Sequence, residues 1–117
     1  MMHFVRIMDK SPANHGTVQA VAIVDTWDAA KGLADFAREH GDYASFWLAS
    51  PQTVAVYDAI GRLARGGRSA NYSQVARVSG VPRTTVRGIT DSLRAQRVIR
   101  NVAPPKRNAP SWRQVAP

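Results

Sequence analysis

The chain has 117 residues, enough for one compact domain or one small domain with an appended element, and 44% of them are apolar, as in an ordinary soluble globular protein. It has no cysteine, which excludes disulfides, zinc–thiolate sites and thiol nucleophiles. The net charge is +8, but residues 1–50 hold four Lys/Arg against six Asp/Glu (−2) and residues 51–117 hold twelve against two (+10), so the basic excess belongs to one half.

No apolar run approaches the roughly 20 residues that span a bilayer. The start, Met1-Met2-His3-Phe4-Val5-Arg6, lacks the apolar stretch of a secretory signal, so a cytoplasmic protein with no membrane partner is expected. His3-Phe4-Val5-Arg6-Ile7-Met8 reads as a short strand, and Ser11 to Gly16 as a turn-rich connector. Thr17 to Val24, rich in Val and Ile, reads as a second strand that closes a long-looped hairpin. Thr26 is placed to cap a helix from Trp27 to His40, with Asp28 in its first turn and Gly41 as its stop. Its apolar positions are Ala29/Ala30, Leu33, Phe36/Ala37 and His40, at helical spacing. Tyr43 to Ala49 favours a third strand, because it is aromatic and ends at Ser50-Pro51. The aromatic group Trp27, Phe36, Tyr43, Phe46 and Trp47 is expected in a core.

Ser50-Pro51 is a helix start, with Ser as N-cap and Pro at the first helical position. That helix should run to Arg65 and bury Val54, Val56, Tyr57, Ile60, Leu63 and Ala64, with Gly66-Gly67 ending it. Ser73 is placed to cap a short helix, Gln74 to Ser79, with Val75, Ala76 and Val78 inward. Gly80 makes a tight turn. Pro82 opens a helix to Gln96 with Val86, Ile89 and Leu93 inward. Ile99–Val102 and Ser111–Val115 read as two strands around the basic loop Pro104–Pro110. A disordered basic tail is the alternative for that loop, and Trp112 and Val115 favour the return strand.

The segment from Val75 to Ile99 resembles the helix-turn-helix of bacterial winged-helix regulators, MarR-like ones especially. A small Ala76 lies four residues before Gly80. Gly80-Val81 leads through Pro82 to Arg83-Thr84-Thr85-Val86; Leu93 lies seven residues after Val86, and Val98-Ile99 follow at twelve and thirteen. The resemblance covers about Pro51 to Pro117. It departs from the family at Gly88, where a side chain is usual, at Pro82, which replaces a Ser or Thr cap, and throughout residues 1–49, which read as β-β-α-β instead of long dimerisation helices. The expectation is therefore an α+β chain: an N-terminal β-β-α-β element (1–49) for dimerisation or a protein partner, and a winged helix-turn-helix (50–117).

The resemblance implies binding to double-stranded DNA, as a homodimeric transcriptional regulator located with the nucleoid when bound. The recognition helix would present Arg83, Thr84, Thr85, Arg87, Asp91 and Arg94 to the major groove. The wing would use Lys106, Arg107, Asn108 and Arg113, and Arg62, Arg65, Arg68, Ser73, Gln74 and Arg77 would clamp phosphates. Eleven of the twelve cations in this half are Arg, which bonds phosphate and guanine in bidentate fashion. Two other roles fit the same residues: a replication, partition or recombination accessory protein of a phage or plasmid, and a protein-interaction adaptor. His3, His15 and His40 are scattered and no nucleophile–base pair or phosphate-cradling glycine loop is present, so neither metal, cofactor nor enzyme activity is expected.

Overall fold

The computed structural model describes residues 1–106 and 109–116. It is an α+β structure that divides into two compact units, Met1–Pro51 with Ala116, and Gln52–Val115. None of its described helices is long and apolar enough to cross a membrane.

In the first unit, β1 (His3–Met8) lies at the centre of an antiparallel sheet, between β2 (Val18–Val24) and β3 (Tyr43–Leu48). Val5 sits opposite Ala22 on one side and Phe46 on the other. Helix α1 (Trp27–Glu39) connects β2 to β3 and covers the sheet face that carries Phe46, against which the Trp27 ring packs edge-on at 5.9 Å. On the opposite face Phe4 stacks on Trp47 at 5.8 Å, and the Arg6 guanidinium lies 5.4 Å from the Trp47 ring. Thr26 caps α1 as its sequence position suggests, Oγ1 accepting from the Ala29 amide at 3.1 Å.

The buried stripe of α1 differs from expectation. It is Ala30, Ala34 and Ala37, while Leu33 is 39%, Trp27 53% and Phe36 61% exposed. Alanine at i, i+4 and i+7 lets the helix axis approach the sheet closely. The larger side chains are then carried to the flanks, so the expected aromatic core is only partly a core. The outer face is polar: Lys31 Nζ donates to Asp35 Oδ2 at 2.6 Å, and this bond, with the Lys31 and Arg38 charges, holds the Asp35 carboxyl below the ordinary carboxylate range.

In the second unit, α2 (Pro51–Arg65) starts at the predicted proline and buries Val56, Tyr57, Ala59, Ile60, Gly61 and Leu63. Gly61 is buried for a reason its own helix does not show. The Gln114 side chain crosses it to donate to the Tyr57 carbonyl at 2.9 Å, and a Cβ at position 61 would fall 2.5 Å from Gln114 Nε2. Helix α3 (Tyr72–Ser79) begins earlier than predicted. Its N-cap is Asn71, not Ser73: Asn71 Oδ1 accepts from the Gln74 amide at 2.9 Å. Only Val75 is fully buried on α3, and Val78 is exposed. Helix α4 (Arg83–Ala95) buries Val86, Thr90 and Leu93. Ile89 is half-buried, and Thr90 takes the inward place because its hydroxyl donates to the Arg87 carbonyl at 3.0 Å and so enters the core satisfied.

The chain then forms a short antiparallel ribbon, β4 (Ile99–Asn101) and β5 (Trp112–Gln114). Trp112 anchors it: the ring is buried beside Tyr72, and its amide donates to the Ala70 carbonyl at 3.1 Å. The link before α3 is thereby tied to β5, a role its sequence did not suggest. The ribbon is further held by Ser69 Oγ against Ser111 Oγ at 3.0 Å and by the Val115 amide on the Val98 carbonyl at 3.0 Å.

Candidate nucleic-acid interface

The connection between α3 and α4 is built first by Gly80. It ends α3 in the left-handed conformation, φ 73°, and its amide closes on the Ala76 carbonyl at 3.0 Å. Val81 is buried immediately after, and Pro82 becomes the N-cap of α4 with no side-chain bond. With Val86, Thr90 and Leu93 turned inward, helical periodicity leaves the rest of α4 outward. Arg83, Thr84, Arg87, Asp91 and Arg94 are all exposed on it, and Thr85 is half-buried.

The phosphate-clamp set is spread over three elements. Arg62 and Arg65 are exposed in the last turn of α2, Arg68 in the link, and Ser73 and Arg77 on α3. Arg68 Nη2 donates to Gln74 Oε1 at 3.3 Å, which joins two of them. Of the wing set, Lys106 and Arg113 are exposed. Arg107 and Asn108 lie outside the described residues.

Two features of the surface were not anticipated. The Arg87 guanidinium lies 5.5 Å from the Tyr72 ring, so Tyr72 at the start of α3 supports a residue on α4. Arg100 sits directly opposite Arg113 in the β4–β5 register, and both are exposed. The alternation Ile99-Arg100 and Trp112-Arg113 is the sequence signal for Arg100, but only the register makes the two arginines cross-strand neighbours.

The electrostatics are one-sided. The second unit carries only Asp58 and Asp91 as carboxylates, and among the described residues its arginines form no ion pair. Like charges placed directly across a ribbon destabilise it. A face of unpaired guanidiniums is suited to a ligand rich in anionic oxygen, and each guanidinium can present two parallel N–H donors to it. Comparison with family models, with characterised proteins and with solved structures finds no match to this chain.

Proposed function

We propose that the second unit is a winged helix-turn-helix that binds double-stranded DNA in a sequence-specific manner. The observation that carries the reading is α4: a helix held by Val86, Thr90 and Leu93, with Arg83, Thr84, Arg87 and Arg94 on its exposed side and no carboxylate paired to them among the described residues. In this reading α4 enters the major groove, where an arginine can bond guanine O6 and N7 together. Asp91 accepts from a cytosine amino group or limits the sequences tolerated. The β4–β5 ribbon is the wing, and the Arg100–Arg113 repulsion is relieved by flanking phosphate. Arg62, Arg65, Arg68 and Arg77 contact the backbone and set register without reading sequence. A homodimer acting as a transcriptional regulator is the form of the reading that two-fold operators would require.

Selection from a random duplex pool, followed by binding assays on the winner, tests it. Arg83→Ala with Arg87→Ala should lower affinity for the selected duplex at least about 10-fold while leaving random-duplex binding nearly unchanged. Wild-type affinity should fall steeply between about 0.05 and 0.2 M salt. Equal affinity for selected and random duplex at about 0.15 M salt, or full specific affinity in the double variant, would sink the reading. A selected site shared with replication origins or attachment sites, instead of promoters, would assign the same chemistry to the accessory role.

A further inference from the structure

The sheet of the first unit has two outer edges, and they are not alike. The Ala49 amide donates to the Met2 carbonyl at 3.0 Å, so Met2 and Ala49 form a hydrogen-bonded pair. Antiparallel alternation then turns the backbone of Ala44 outward from β3. There Arg38 Nη2 donates to the Ala44 carbonyl at 2.9 Å and so occupies one outward acceptor of that edge. Carried across β1, the same alternation turns the backbone N–H and C=O of Val21 and Ile23 outward from β2. Among the described residues β2 has no second neighbouring strand.

An open edge is normally blunted by lysine, proline or a similar device. The seven residues of β2, Val18-Gln19-Ala20-Val21-Ala22-Ile23-Val24, contain no charge and no proline. A bulge against β1 lies only at its start, next to Met8. The strand also reads nearly the same in both directions about Val21: Val matches Val, Ala matches Ala, and Gln19 alone faces Ile23.

The helix above repeats the pattern. Arg38 and Trp27 both reach β3, which places the opposite flank of α1 on the β2 side. That flank is Ala29, Leu33, Phe36 and His40, at i, i+4, i+7 and i+11, all exposed and without an acidic or cationic Lys/Arg member. Phe36 and His40 stack on each other at 4.1 Å. The ionic residues Asp28, Lys31, Asp35, Arg38 and Glu39 all lie off it. A sheet edge with no further strand among the described residues and an exposed apolar helix flank thus adjoin on one side of the unit.

We propose that β2 pairs antiparallel with β2 of a second copy, about a two-fold axis at Val21, to form a continuous six-stranded sheet. Ala20 then lies opposite the partner's Ala22, and Gln19 opposite the partner's Ile23. Leu33 and Phe36 of each copy lose solvent above the small alanines near the joint. The near-palindrome is what selects a second copy over an unrelated strand, since an isologous interface needs the same patch to complement itself. The pairing supplies the dimer of the DNA-binding reading, and its biological purpose rests on that reading.

Sedimentation equilibrium of the full chain tests the pairing. Wild type should give twice the 12.8 kDa chain mass at about 50 μM, in the range of an ordinary homodimer. Val21→Pro removes an outward N–H that β1 does not use, and should weaken dimerisation about 100-fold; Phe36→Glu should weaken it as well. A wild type that stays monomeric at about 100 μM, or a dimer retained undiminished in both variants, overturns the proposal. Amide exchange on the wild type covers the case in which Val21→Pro does not fold. The Val21 and Ile23 amides should be protected at dimeric concentration and lose protection on dilution; fast exchange of both in the dimer also overturns it. Duplex binding measured alongside separates the two readings. A wild-type dimer without sequence preference leaves the pairing intact and removes the DNA role, whereas a monomeric wild type that prefers the selected duplex does the reverse.

Discussion

Arg97 holds a backbone conformation that few arginines adopt. Its φ is +62°, at the end of α4, where its amide donates to the Arg94 carbonyl and the Val98 amide to the Leu93 carbonyl. The same two-bond closure ends α2, where the residue at the equivalent place is Gly67, φ +68°. A side chain there costs about 1–2 kcal/mol that glycine avoids, partly offset by the greater freedom of glycine in the unfolded chain. Arg97→Gly should therefore stabilise the second unit by about 1 kcal/mol, read as a rise in urea midpoint with unchanged slope. An unchanged or lower midpoint would show that the arginine side chain contributes packing that offsets its strain. In the DNA-binding reading the strain is tolerated because Arg97 adds a cation near α4. The same variant should then bind duplex less tightly although it is more stable.

Among the elements, α4 combines a strong inward stripe with a weak interior residue. Gly88 is exposed in its middle, and a Cβ built there meets nothing within 4 Å. Gly88→Ala should raise stability by about 1 kcal/mol through helix propensity alone. Its duplex affinity then reports why glycine is there: unchanged affinity marks a tolerated defect, and a loss marks close approach of the helix to the groove. Gly61 in α2 is the opposite case. It also lacks a side chain within a helix, but its space is filled by Gln114, so the propensity gain of alanine there is set against displacement of a hydrogen-bonded side chain. Sequence alone makes these two glycines equivalent. The difference comes from a strand more than fifty residues away.

For the molecule as a whole, charge and pH act differently on the two units. The first unit pairs Lys31 and Arg38 with Asp35, whereas the second leaves its arginines without an ion pair among the described residues. Tyr57 adds a second asymmetry. Burial, followed by the nearby Asp58 charge, pushes its phenol up to about 12. In the unfolded chain the group ionises near 10, so between pH 10 and 12 the unfolded state binds fewer protons than the folded one. Stability of the second unit should thus be unaffected by Tyr57 below pH 10 and fall above it, by up to about 1.4 kcal/mol per pH unit. Denaturant midpoints of wild type and Tyr57→Phe between pH 9 and 11.5 check this: the wild type should show the steeper decline (about 2 kcal/mol more over the range), and parallel declines would contradict it.

The features legible in the chain alone are local. The short strand His3–Met8, the Thr26 cap, the Ser50-Pro51 start and the Gly80 turn each rest on a few neighbouring residues, and each stands in the structure within a residue or two of its expected place. The segregation of arginine into residues 51–117 is likewise a property of composition. Tertiary structure decided the relations between segments. It chose alanines over Leu33 and Phe36 as the contact of α1, because a helix settles where small residues allow close approach. It turned Thr90 inward, set Tyr72 beneath Arg87, drew Gln114 across Gly61 and brought Arg100 opposite Arg113. Each of these depends on a register or a packing distance between residues far apart in the chain, and periodicity within one element carries no information about that.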